Sequence, residues 1–249
     1  MNKEQFDAYV TFAKEKLGID FHDINLLITA LTHRSYVNEH KKTVTQHNER
    51  LEFLGDAVLE IVTSDFLFRN YDEPEGIMTS WRAALVNTEA NAAAGERLGY
   101  ASLVRLSKGE KHGSERAHHV IMADCYEAII GAIYLDQGYQ AASDFIYQNS
   151  LIKINEILET ESWRDAKSYL QELAQKIDNT TPTYQVMKED GPDHDKTFTL
   201  GVYVAGRLLG TAVGHSKQEA QVKAATEAIR RYKKDYPEEF HPILPKLVK

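Results

Sequence analysis

The chain has 249 residues, enough for one large domain or two modest ones. Its 43% hydrophobic and 27% charged content is ordinary for a soluble globular protein, and no run of about 18 apolar residues suggests a membrane span. The net charge of −8 argues, on average, against a nucleic-acid partner.

That average hides an asymmetry. Residues 1–160 hold 15 Lys+Arg against 24 Asp+Glu, a balance of −9, whereas residues 161–249 hold 14 against 13, a balance of +1. An acidic front half and a near-neutral back half are expected to do different work, and the acidic half can meet a polyanion only if cations intervene. Met1 to Lys14 is polar and lacks the apolar core of a secretory signal. The single cysteine, Cys125, cannot form an internal disulfide and fits a reducing compartment, so a cytoplasmic protein is expected.

In chain order, residues 1–160 read as helices joined by short loops. Leu51, Leu54, Val58, Ile61 and Val62 form an apolar stripe at helical spacing; Ala83 to Leu98 is a second helix-rich run. Ile121, Ala128, Ile129, Ala132 and Ile133 give a third. Turns are expected at Asp72-Glu73-Pro74-Glu75-Gly76, Lys108-Gly109 and Gln137-Gly138. The boundary at residues 158–164 is short, and the pattern then changes. Residues 165–177 form an amphipathic helix with Leu170, Leu173 and Ile177 on one face. Three β-like runs follow, at Tyr184–Val186, Phe198–Val204 and Leu208–Val213, with turns at Gly191-Pro192 and Ala205-Gly206. Ser216 caps a last helix through about Tyr232, with Glu219 at the capping-box position. The expected organisation is an all-α domain at 1–160, a small α-β-β-β-α domain at 163–233, and a loosely ordered tail at 234–249.

The chemistry lies in two acidic groups. In a helix, Glu49, Glu52 and Asp56 stand at i, i+3 and i+7 on one face, where they repel. Asp124 and Glu127 have the i, i+3 spacing inside an apolar run, where unpaired charge is strongly unfavourable. A divalent cation such as Mg²⁺, which prefers a few carboxylates with water and phosphate oxygens, would relieve both groups. A merely solvated acidic face explains the same spacing, so periodicity leaves the two readings open. A di-iron bundle would want two Glu-x-x-His pairs, and only Glu115–His118 has that spacing.

The ordered motifs carry more. The segment 47–60, HNERLEFLGDAVLE, resembles the signature of the ribonuclease III family. Ala30–Tyr36, Glu75-Gly76 with Arg82–Val86, and Ala123–Gly131 resemble further family segments in the same order. Tyr169–Glu172 and Pro182–Tyr184 resemble a double-stranded-RNA-binding domain. The resemblance covers roughly residues 5–233 and matches the bacterial domain order. It implies an endonuclease that hydrolyses double-stranded RNA with Mg²⁺, or Mn²⁺ in its place, leaving 5′-phosphate ends. It also implies a homodimer, with ribosomal RNA precursors and structured messenger RNAs, and transfer RNA processing, among the expected targets.

By the same resemblance Glu52, Asp56, Asp124 and Glu127 are the metal-binding carboxylates, with Asp56 and Glu127 the catalytic pair. Glu49 and Glu75 are supporting acidic positions, and Phe53 packs into the partner subunit. Ser168, Gln171 and Gln175 would face one RNA minor groove, His194 a second, and Lys217 the phosphates between them. One departure stands out. The last helix opens Ser216-Lys217-Gln218-Glu219, a single cation where a basic cluster is usual, so weaker and salt-sensitive RNA binding is expected. Two other classes compete with the hydrolase: a relative that grips duplex RNA without cutting, and a helical scaffold holding a structural divalent ion.

Overall fold

The computed structural model describes residues 1–161, 163–192 and 196–239. His194 and the end of the expected tail, 240–249, lie outside the described residues. The chain divides into two compact units, one comprising residues 1–160 and the other beginning at Glu161.

The first unit is helical. Helices α1 (Lys3–Phe12), α2 (Ile24–Ala30) and α3 (Arg34–Glu39) precede a long α4 (Glu49–Asn70). Next come α5 (Glu75–Leu85), α6 (Thr88–Leu98), α7 (Glu115–Asn149) and α8 (Ile154–Thr160). Side-chain caps explain several of the starts. Asn2, Asp23, Asn87 and Ser114 each accept a hydrogen bond from a backbone N–H of the first turn they precede. The run from Ala83 to Leu98 is two helices, not one, because Asn87 caps a fresh start at Thr88. The break expected at Gln137-Gly138 is present: two helical segments of α7 meet there at a kink, where Gly138 leaves helical geometry at φ 83° and ψ −173°. Asp136, just before the kink, accepts the backbone N–H groups of His22 and Asp23 at 2.8 Å each, which pins the start of α2 to α7.

Around α7 the core is dense. Leu27, Leu59, Trp81, Ile129, Ile130 and Ile133 are fully buried, and the hydroxyls of Tyr100 and Tyr126 donate to or share hydrogen bonds with Met122 O and Ser150 Oγ at 2.6 Å. Ile61 departs from the expected stripe. It faces outward at 58% exposure, because Val58, Leu59 and Val62 already fill the inward face of α4.

The second unit is α9 (Ala166–Asp178), then β1 (Thr183–Asp190), β2 (Thr197–Val204) and β3 (Arg207–Gly214), and finally α10 (Lys217–Asp235). The strands form one antiparallel sheet in the order β1-β2-β3. Leu200, Val202 and Val204 alternate toward the interior, where Val202 and Val204 meet Leu170 and Leu173 of α9 and the Ala224, Ala225 and Ala228 row of α10. Small residues are needed in that row: a Cβ on Gly210 of β3 would sit 2.4 Å from the Ala224 carbonyl oxygen. Ala205 and Gly206, both at positive φ, make the tight β2–β3 turn. Ser216 caps α10 as expected, but Glu219 reaches back to the N–H of His215 rather than that of the cap. The first residues of the expected tail are ordered, since α10 runs to Asp235 and a short 3-10 turn follows at Pro237–Glu239. No helix among the described residues is long and apolar enough to cross a membrane.

Candidate active site and RNA-binding surface

Two glycines let α4 and α7 touch backbone to backbone. A Cβ on Gly55 would lie 1.7 Å from the Glu127 carbonyl oxygen, and one on Gly131 would lie 2.2 Å from the Leu51 carbonyl oxygen. Only a hydrogen fits at either place. The crossing fixes the carboxylates around it: Glu52 and Asp56 flank Gly55 on α4, and Asp124 and Glu127 stand two turns and one turn before Gly131 on α7.

The electrostatics follow from that closeness. Burial, then the charges of Asp124, Glu49 and Asp56, push Glu52 up to about 7. Glu127 is likewise pushed up to about 7 by burial and by Asp56, with Glu52 and Asp124 adding and a hydrogen bond from Asn91 opposing. Asp124 is raised by burial and by Glu49, while His33 pulls it the other way. Each of the three feels acidic neighbours from the opposite helix or its surroundings, so the sequence groups form one cluster. Among the described residues, none of Glu52, Asp56, Asp124 and Glu127 makes an ion pair. Glu49 differs: it has a cationic partner, Arg34, whose Nη1 lies 3.2 Å away.

Such a cluster is unfavourable unless protons or cations neutralise it. Its donor set is all carboxylate oxygen with no thiolate or imidazole among the four, which fits a hard divalent cation better than a soft one. Among the described residues, no three or more His, Cys, Asp or Glu side chains are grouped closely enough to hold a metal ion as they stand. The fit therefore rests on the chemistry and mutual repulsion of the four side chains.

Glu75 stands elsewhere, at the first turn of α5, where it lines a groove of about 600 Å³ with Ile61, Phe68, Met78, Arg82 and Tyr139. Arg82 in that groove pairs with Glu60 at 2.8 Å. Phe53 is no core residue. It is 79% exposed and continues along α4 into Ile61 and Phe68, giving an outward apolar stripe on an otherwise acidic helix.

In the second unit Ser168, Gln171 and Gln175 lie exposed along one face of α9. Asp165 caps that helix by accepting the Ser168 N–H at 2.8 Å, and Gln175 donates to Asn179 at 2.6 Å. Lys217 is at the start of α10, and its ammonium is 3.2 Å from Glu189 on β1. Glu189 also takes Lys196 at 2.9 Å, and Lys223 is paired with Glu219 at 2.6 Å. The thin basic patch read from the sequence is thus further neutralised by the protein's own acids. Three contributors escaped the sequence reading: Asn91, His33 and the Gly55–Gly131 crossing. The glycines were within the motifs, but nothing local marks them as facing each other across 76 residues.

Comparison with known proteins agrees with both halves. Residues 23–154 match the family model described as ribonuclease-III-like, and residues 166–232 match the double-stranded RNA binding motif. Ribonuclease 3 of Protochlamydia amoebophila (strain UWE25) is 45% identical over 217 residues, 87% of this chain and 89% of that protein. Ribonuclease 3 of Bacillus cereus (strain G9842) is 43% identical over 228 residues, covering 91% and 92%. A solved nuclease domain of ribonuclease III from Campylobacter jejuni, described for flexibility in a region involved in dimer formation, shares 38% identity at a TM-score of 0.50, covering 56% of this chain and 97% of that one. With an acidic helix pair in front and an α-β-β-β-α double-stranded-RNA-binding fold behind, the chain belongs to the ribonuclease III family of double-stranded-RNA-specific endoribonucleases.

Proposed function

We propose that this endoribonuclease hydrolyses its duplex by a divalent-metal mechanism, with Glu52, Asp56, Asp124 and Glu127 holding the cation. The observation that carries the reading is four carboxylates on two touching helices with no ion pair among the described residues. Mg²⁺ is the expected ion and Mn²⁺ a substitute; when bound, it supplies an activated water and charge stabilisation for the leaving oxygen. The chain's own residues do the rest. Asp56 and Glu127, the first of which acts electrostatically on the second, are the catalytic pair, while Glu52 and Asp124 complete the anionic wall. Glu49, paired with Arg34, and Glu75 are supporting acidic positions.

The reading extends to the assembly and the products. A homodimer would cover the stripe led by Phe53, whose full burial is worth about 1.5–3 kcal/mol. Each subunit would cut one strand, giving short 3′ overhangs and 5′-phosphate ends. Ser168, Gln171, Gln175, His194 and Lys217 would hold the A-form duplex by its shape. The domains would be 1–160 and 163–233, with a tail at 234–249. Ribosomal RNA precursors, structured messenger RNAs and transfer RNA precursors are the expected targets, in the cytoplasm.

One assay tests the metal reading: duplex RNA incubated with Mg²⁺, with EDTA, and with the Glu127→Gln variant. Cutting should occur only in the first. Cleavage that persists in EDTA, or undiminished in the variant, would overturn the mechanism, and intact RNA that is merely shifted on a gel in every arm would support a protein that binds without cutting.

A further inference from the structure

Asn91 sits on α6, outside every motif that marks the site, yet its side chain reaches the carboxylate cluster. Its Nδ2 donates to Glu127 Oε1 at 2.8 Å and more weakly to the Val86 carbonyl at 3.4 Å. The residue is 1% exposed, and its Oδ1 is buried without a hydrogen-bond partner among the described residues. Two acceptors on one side of the amide fix which end is nitrogen. For folding alone this is a poor arrangement, because a buried acceptor left unpaired destabilises the native state. A leucine of similar shape would serve the core of α6 better. What the amide provides is a donor that holds one oxygen of Glu127 in a fixed direction.

We propose that Asn91 is a positioning residue for cleavage: it clamps Glu127 Oε1 so that Oε2 is presented to the divalent cation. The inference rests on the reading of Glu127 as a metal ligand. Hydrogen-bonded partners of ligating carboxylates set their orientation, and losing one typically costs about 10–100-fold in metal affinity or activity. Asn91 thus ties a third helix, α6, to a site otherwise built from α4 and α7. Substrate binding is not its task, so the Michaelis constant for duplex RNA is unaffected by its loss.

The test uses the full chain and four proteins: the natural sequence, Asn91→Leu, Asn91→Ala and Glu127→Gln. Three readouts are needed. These are Mn²⁺ affinity of the RNA-free protein by electron paramagnetic resonance, thermal melting in EDTA, and kcat and KM on duplex RNA. Leucine should hold or raise the metal-free melting temperature and alanine should lower it, yet both should weaken Mn²⁺ about 10–100-fold and lower kcat at limiting metal. KM should stay unchanged in both. Metal affinity that follows the melting temperature, or that is unchanged in both Asn91 variants while Glu127→Gln weakens it, would overturn the positioning role alone. If Glu127→Gln leaves Mn²⁺ binding intact, the metal reading itself fails and the inference falls with it.

Discussion

Gly55→Ala isolates the helix crossing with a single methyl group. The added carbon would lie 1.7 Å from the Glu127 carbonyl oxygen and 2.6 Å from its carbonyl carbon, both backbone atoms that cannot swing aside. Restoring ordinary contact requires α4 and α7 to part locally by about 1.5 Å in a tightly packed core. Alanine in place of glycine gains about 1 kcal/mol of helix propensity. Overpacking typically costs about 1–3 kcal/mol and occasionally more, and a backbone clash places this substitution at the top of that span or beyond it. The net loss of about 2 kcal/mol should lower the melting temperature by roughly 4–8 °C for a unit of this size. The effect on cleavage should be larger, because a displacement of about 1 Å in a catalytic group costs about 100-fold in rate. Single-turnover cleavage of a duplex RNA, with thermal melting in parallel, measures both. Gly76→Ala is the control: no atom lies within 4 Å of a Cβ at that site on α5, so it should melt slightly higher and cut normally. A Gly55→Ala protein with unchanged melting and rate would refute the account of how the carboxylates are brought together.

The remaining predictions concern charge and accessibility. Glu52 and Glu127 both sit near 7 in the folded protein, well above the ordinary glutamate value of 4.5, so the native state binds more protons than the unfolded one between those limits. Stability in EDTA should therefore fall as pH rises from about 4.5 to about 7, and melting curves with Mg²⁺ should lose most of that slope; a metal-free protein most stable at pH 8 would contradict this. Glu189→Gln should strengthen duplex binding by freeing Lys196 and Lys217, read as a lower Kd in an uncleaving Glu127→Gln background. Lys217→Ala in that background should lower the salt slope by about one unit; tight binding undiminished at about 0.3 M salt would refute the picture of a thin phosphate clamp. Cys125 is fully buried and its thiol is pushed up to about 12, chiefly by burial, so alkylation should be slow in native protein and rapid only in denaturant.

What was legible depended on range. The helix start at Ser216, the β2 alternation and the Ala205-Gly206 turn are local signals, and all appear in the fold. Ile61 misled because a 3.6-residue period identifies a stripe without saying where it ends, and α4 carries an outward apolar stripe beside its buried one. Gly138 was legible for a local reason, since the glycine takes a positive φ that interrupts α7 where the sequence marks a break. The carboxylate spacing was visible on each helix separately. Their union was not, since it depends on Gly55 meeting Gly131, and the clamp on Glu127 comes from Asn91, 36 residues away on a helix with no acidic motif.

The Glu189 bridge to Lys196 and Lys217 has a consequence for ligand choice. Glu189 is a built-in counterion for Lys196 and Lys217, so a nucleic acid bound there as proposed would have to displace a tethered carboxylate that returns at once when the phosphate leaves. A ligand with sparse or shifting phosphates competes poorly with such a rival. A rigid duplex, presenting many phosphates at fixed spacing while its minor groove meets α9 as proposed, would compete well. With the phosphate contacts proposed for Lys217, the acid next to the cation would work as a threshold: it would lower affinity for every nucleic acid, and most for those that cannot hold their charges in line.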